Sequence, residues 1–260
     1  MPSLTMLDKI KQRLYQIEKD HEVRILYAVE SGSQAWGFAS QDSDYDVRFI
    51  YAHPQDWYIT VQQRRDVIEY LDEHPLDISG WDLRKGLQLF YKSNPPLLEW
   101  LQSPIVYLEQ YTTAKKMRSM MQSIFSPQSC MYHYLHMAEG NYREYLKGEH
   151  VKVKKYFYVL RPVLACKWIE KYNTMPPTEF ELLFNDQQLQ DGLHSAIDRL
   201  LKRKKDGEEL ATEPRISAIN EFLENEIIYY THFVKSMPKV STNMEMLDVF
   251  FRETLREVWV

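Results

Sequence analysis

The stretch that decides the fold is residues 30–50, "ESGSQAWGFASQDSDYDVRFI". It holds a Gly-Ser pair (Gly32, Ser33), a second glycine (Gly37), and three aspartates (Asp42, Asp44, Asp46) directly before an apolar run. Carboxylates this close repel one another, so they need open water or a cation. The flanks supply strand context. "VRILYAVE" (23–30) is β-branched and apolar and stops at Ser31-Gly32-Ser33, the pattern of a buried strand ending in a turn. "DYDVRFIYAH" (44–53) alternates, with Val47 and Phe49 on one face and Asp44, Asp46 and Arg48 on the other.

Two carboxylates on one strand face can converge on a divalent cation such as Mg²⁺, which takes oxygen ligands. Its charge would remove their repulsion. A third acid, Asp77, lies between Leu76 and Ile78, an apolar-Asp-apolar pattern that demands a partner for the acid. Three carboxylates on adjacent strands can hold two such ions. The Gly-Ser turn opens a short helix through Gln34 to Trp36. Its outward N–H groups suit a phosphate, Gly32 permits close approach, and the Ser33 hydroxyl can donate. Asp42 reads as a turn or cap residue, Arg48 as an ion-pair partner holding Asp46 or Asp77, and Trp36 and Trp81 as packing residues.

Outward from this core, Leu7, Ile10, Leu14 and Ile17 recur at helical spacing. Residues 65–71 and 76–81 read as further strands. Asp82 caps a helix carrying Leu83, Leu87 and Phe90, and "SNPPLLEWL" (93–101) opens another with proline at its start. Beyond residue 110 helical stripes take over: Met117 to Ile124, Met131 to Tyr145, a long helix over 151–172 with a kink at Pro162, helices near 178–184 and 188–205, and Ile216 to Tyr230. Thr242 and Glu245 form a capping box before the last helix. "LKRKKDGEEL" (201–210) reads as a charged, solvated loop. The expected fold is α+β: an α/β domain with a small mixed sheet over 1–108, then an all-helical domain over 109–260.

Composition narrows the class. The chain has 260 residues, enough for one large or two modest domains, and a net charge of −5, so no global basic field points to nucleic acid. Cys130 and Cys166 match neither a zinc spacing nor a disulfide framework and read as buried free thiols. His133 and His136 have no evident third ligand nearby. The N-terminal stretch has no apolar signal region and no run is long enough to span a bilayer, so the expectation is a cytoplasmic protein with no membrane partner.

"GSQAWGFASQDSDYDVR", "LDISGWDLRKGLQL" and "KSNPPLLEWL" together resemble the DNA polymerase β-type nucleotidyltransferase superfamily, whose motif is a Gly-Gly or Gly-Ser pair, a spacer, Asp-x-Asp/Glu, and a third acid on a later strand. They are similar in particular to a bacterial branch that includes RNA-repair-associated polymerase-β-like proteins. The match covers about 30–101 and departs only at Tyr45, larger than the usual aliphatic spacer. The resemblance implies a Mg²⁺- or Mn²⁺-dependent transfer of NMP from an NTP, ATP among the candidates, to an acceptor hydroxyl, with pyrophosphate released. Asp44, Asp46 and Asp77 would be catalytic and bind two ions, with Asp77 the candidate general base, and Gly32 and Ser33 would hold the triphosphate. Lys154, Tyr158 and Arg161 fall at i, i+4 and i+7. They are either a solvated face or a stripe that grips the nucleotide as the helical domain closes the cleft, with Lys155 beside it; the resemblance favours the latter. The expected acceptor is an RNA 3′ end, such as tRNA, in repair or end modification, reached along a positive channel that includes Lys154, Lys155, Arg161 and Lys202 to Lys205. The alternatives are nucleotidylation of a protein partner and a non-catalytic nucleotide-binding module.

Overall fold

The computed structural model describes residues 4–40, 43–71, 76–208, 212–240 and 243–260. They pack into two compact units. The first comprises the described parts of Met1–Ala35, Asp44–Ile124 and Ser241–Val260, the second those of Trp36–Ser43 and Phe125–Val240. A cut at 108/109 therefore differs from the packing in three ways, the first being that the described residues of Trp36–Ser43 go with the second unit. The helix after β5 stays with the first unit, and so does the last helix of the chain.

The first unit opens with helix α1 (Leu4–His21), followed by β1 (Arg24–Glu30), the single-turn α2 (Gly32–Ala35), β2 (Tyr45–Ala52), the short α3 (Gln55–Tyr58), β3 (Val67–Leu71) and β4 (Leu76–Asp82). Helices α4 (Leu83–Tyr91) and α5 (Pro95–Leu101), strand β5 (Val106–Glu109) and helix α6 (Thr113–Ile124) complete its continuous part. The five strands form one mixed sheet in the order β3-β4-β2-β1-β5. Strands β2 and β4 run parallel, and the other pairs are antiparallel. Ile10, Leu14 and Ile17 of α1 pack on Ile25, Val47, Phe49 and Ile78 of the sheet. Each such buried side chain contributes about 1.5–3 kcal/mol. Gly80 of β4 pairs with Phe49, whose ring lies 2.2 Å from where a Cβ on Gly80 would stand, so no larger residue fits there without repacking.

Two helix starts follow the sequence closely. The Asp82 carboxylate accepts from the Arg84 N–H at 2.8 Å and caps α4. Asn94 accepts from the Leu97 N–H, with Pro95 in the first turn of α5. Strand β5 is not visible in the sequence: four residues with no sustained alternation, made a strand by pairing with β1. The C-terminal helix α12 (Met244–Val258, labelled in chain order) packs against α4. Its cap is Asn243, which accepts from the Glu245 N–H at 2.8 Å. Thr242, the expected cap, and Asp42 lie outside the described residues.

The second unit holds α7 (Pro127–Tyr145), β6 (His150–Lys152), a 3₁₀ turn (Val153–Tyr156), α8 (Phe157–Tyr172), α9 (Phe180–Asn185), α10 (Asp191–Lys205), β7 (Thr212–Pro214) and α11 (Ser217–Ser236). Its core gathers Phe38, Phe157, Leu160, Leu164, Phe180, Ile197, Leu200, Ile219 and Leu223. It is not all-helical, because β6 and β7 pair as an antiparallel ribbon. The helix expected over 151–172 begins only at Phe157, with Pro162 inside it. The basic run at 202–205 is not a loop. It is the last turn of α10, where cations favour the helix dipole. Lys202 pairs with Asp198, Arg203 with Glu208 and Glu213, and Lys205 with Glu181. Cys130 and Cys166 are buried and not joined in a disulfide. Among the described residues no helix is long and apolar enough to cross a membrane.

Candidate active site

Parallel pairing of β2 with β4 places Asp46 directly opposite Asp77. Arg48 pairs with Ser79, two residues on, so its side chain shares the acid face. Its Nη2 donates to Asp46 Oδ1 at 3.0 Å and to Asp77 Oδ2 at 2.8 Å, and its Nη1 donates to the carbonyls of Val47 and Asp77. One guanidinium thus bridges the two acids, where the sequence suggested an ion pair with one or the other. Among the described residues, Asp46 Oδ2 and Asp77 Oδ1 accept no further hydrogen bond. Asp44 stands one residue ahead of β2 and is exposed.

The Gly32 turn closes against this pair. Gly32 has φ +56°, and a Cβ built there would sit 2.0 Å from Asp46 Oδ2. The site requires a glycine, because its backbone lies against the carboxylate and its φ is left-handed. The Ser31 N–H donates to the Asp46 carbonyl at 2.8 Å, tying the turn to β2. Ser33 is the half-exposed second residue of α2.

Glu30 is the residue that sequence reasoning missed. It is 1% exposed at the end of β1. Its Oε1 accepts from the Asp46 N–H at 2.6 Å, and its Oε2 accepts from the Tyr107 hydroxyl of β5. Its carbonyl accepts from Ser103 Oγ at 2.6 Å, and its N–H donates to the Ile105 carbonyl. The available signal was an acid closing an otherwise apolar strand, immediately before the Gly-Ser turn.

Electrostatics match this geometry. Burial pushes the Glu30 carboxyl up to about 7, against the lowering effect of its bonds from Tyr107 and Asp46. Burial also raises Asp46. Arg48 opposes that rise, while the negative charges of Asp77 and Asp44 add to it. The face carries more negative charge than its one arginine neutralises. Oxygen-only donors under mutual repulsion fit a hard divalent cation. As they stand, the acids are drawn together by the guanidinium, and among the described residues no three His, Cys, Asp or Glu side chains form a ready ligand cluster.

Of the other expected site residues, Tyr158 and Arg161 both meet Trp36, while Lys154 lies outside their helix. Lys154 is exposed in the 3₁₀ turn, ahead of α8. Tyr158 is half-buried, edge-on to Trp36 and beneath Lys155 Nζ at 4.5 Å. Arg161 is 1% exposed; its guanidinium lies over the Trp36 ring at 4.8 Å, and its Nε and Nη2 donate to the Thr178 carbonyl. The i, i+4, i+7 reading fails because the helix starts after Lys154 and turns Arg161 into the core. With Arg161 buried and three of the four cations at 202–205 paired to acids, these residues do not form the basic stretch expected of them.

The chain belongs to the RNA repair pathway DNA polymerase beta family, RlaP, whose model matches residues 6–253. It is a nucleotidyltransferase. It is 50% identical over 255 residues, 98% of each chain, to "Uncharacterized protein YcgL" of Bacillus subtilis (strain 168). Two solved structures are similar at 12% identity. One is spectinomycin adenyltransferase AAD(9) from Enterococcus faecialis with ATP and spectinomycin (90% of this chain, 100% of that one, TM-score 0.46). The other is a nucleotidyltransferase-like protein from Exiguobacterium sibiricum 255-15 (87% of this chain, 75% of that one, TM-score 0.33).

Proposed function

We propose that the chain transfers NMP from an NTP to the 3′ hydroxyl of an RNA and releases pyrophosphate, with Asp44, Asp46 and Asp77 as its catalytic acids. The observation that carries this reading is the pairing of Asp46 with Asp77 across parallel strands, with the Gly32 backbone against the Asp46 carboxylate. The family description supports RNA as the acceptor. Asp46 and Asp77, joined by Asp44, would hold two divalent ions, Mg²⁺ or Mn²⁺. When bound, these ions neutralise negative charge on the triphosphate and on the departing pyrophosphate. Arg48 fixes the separation of Asp46 and Asp77 and leaves Asp77 Oδ1 available to take a proton. The acceptor oxygen bonds to the α-phosphorus, its proton passes to Asp77, and the bond to the pyrophosphate oxygen breaks. Gly32 lets the triphosphate approach the backbone, and the Ser33 hydroxyl donates to it.

The test follows labelled nucleotide. Purified protein is incubated with Mg²⁺ or Mn²⁺ and each NTP in turn, with and without small RNA, beside an Asp44→Ala/Asp46→Ala variant. Label in RNA that the variant loses supports the proposal and identifies the base. Label in protein instead moves the acceptor to a partner hydroxyl. Metal-dependent nucleotide binding without pyrophosphate release under any of these conditions sinks the catalytic reading.

A further inference from the structure

The end of the sheet away from the acids carries a polar cavity. Asp77 pairs with Asp46 and Asp82 with Tyr51, so Asp77 and Asp82 lie roughly 16 Å apart along β4. At the Asp82 end, a cavity of about 330 Å³ is lined by Trp57, Tyr58, Arg64, Arg84, Lys85 and Gln88, among others. Two carboxylates, Asp66 and Asp82, also face it. Both are already engaged. Asp66 pairs with Lys85 Nζ at 2.9 Å, and Asp82 accepts from the Tyr58 hydroxyl at 2.7 Å and from the Arg84 N–H at 2.8 Å.

The two arginines are held differently. The Arg84 guanidinium lies 4.7 Å from the Tyr58 ring centroid and 6.0 Å from that of Phe251, and its Nη2 donates to the Tyr58 carbonyl. The Arg64 guanidinium lies 5.5 Å from the Trp57 centroid. Among the described residues neither makes an ion pair. Aromatic faces orient both forks while leaving in-plane N–H groups to donate, which lowers the cost of ordering them around an anion. The first turn of α4 adds to the field. It carries Arg84 and Lys85 and no acid, at the helix end where the dipole is already positive. Cations placed against a helix dipole, beside a polar cavity, suit a bound anion. Guanidinium forks match the oxygens of a phosphate.

We propose that this cavity is a second phosphate-binding site, in which Arg64 and Arg84 take the phosphate of a nucleotide or of an RNA strand. The site lies apart from the acids and needs no metal, so it stands independently of the transfer reaction. Binding is measured on the full-length protein in EDTA, with three probes: a fluorescein-labelled single-stranded RNA, ATP, and inorganic phosphate. The expected result is that a phosphate-bearing probe binds and that salt weakens it. Arg64→Glu and Arg84→Gln should each weaken it by about tenfold or more, while Asp46→Asn leaves it unchanged. Arg64 sits on an exposed segment, so Arg64→Glu should keep the native melting temperature and answer the question even if Arg84→Gln loosens the fold. RNA binding without ATP binding names the strand as the source of the phosphate; binding of ATP names the nucleotide. The proposal is overturned if no probe binds in EDTA, if Arg64→Glu binds like the parent, or if Asp46→Asn abolishes binding.

Discussion

Replacing Gly32 with alanine should disable the acid pair while leaving the fold standing. The new Cβ would lie 2.0 Å from Asp46 Oδ2 and 2.9 Å from its Cγ, where ordinary contact begins near 3.4 Å. The carboxylate must therefore move by about 1.4 Å (3.4 − 2.0), pulling Oδ1 off Arg48 Nη2. A misplacement of that size costs on the order of a hundredfold in rate. The left-handed φ of +56° adds roughly 1–2 kcal/mol of destabilisation, a drop of a few degrees in Tm. Gly37→Ala is the control. Its φ is +82°, but nothing lies within 4 Å of its Cβ, so it should incur a comparable backbone cost without disturbing Asp46. The assay is pyrophosphate release at saturating NTP, with a melting curve for each variant. If Gly32→Ala kept its rate within about threefold of the parent, or if Gly37→Ala lost as much, the reasoning from the Asp46 contact would be wrong.

Arg48→Met removes the cation bridging Asp46 and Asp77; Mn²⁺ should bind more tightly by electron paramagnetic resonance while kcat falls, and weaker Mn²⁺ binding would contradict the bridge. Glu30 titrates near 7 when folded against an ordinary 4.5, so its contribution to stability is full below about pH 4.5 and is lost as pH rises through 7. Glu30→Gln should remove that loss, up to about 3 kcal/mol, so denaturant midpoints of parent and variant should shift relative to each other between pH 4.5 and 8; parallel curves would refute the assignment. Both cysteines are buried, and burial pushes the Cys166 thiol well above its usual range, so a thiol reagent should label neither in native protein and both after unfolding.

What the sequence determined by itself is what depends on short spacings. An apolar strand broken at Gly32, a strand carrying Asp46 and Arg48 two apart, the Asp82 cap and the proline start of α5 all follow from local sterics and a two- or four-residue period. The Arg48–Asp46 pair was legible for the same reason, since residues two apart on a strand share a face. Tertiary structure decided the rest. Asp77 meets Asp46 only because β4 pairs in parallel with β2 at one register, which buried side chains far apart in the chain select. Glu30 gained its role from Tyr107, on a strand too short to show a period, and β5 exists only by pairing with β1. Arg161 looked like a surface cation until the start of α8 at Phe157 turned it beneath Trp36. The last helix returned to the first unit by packing on α4. Periodicity reports which face of an element is apolar, but not which distant element will cover it, and that choice is made by long-range packing.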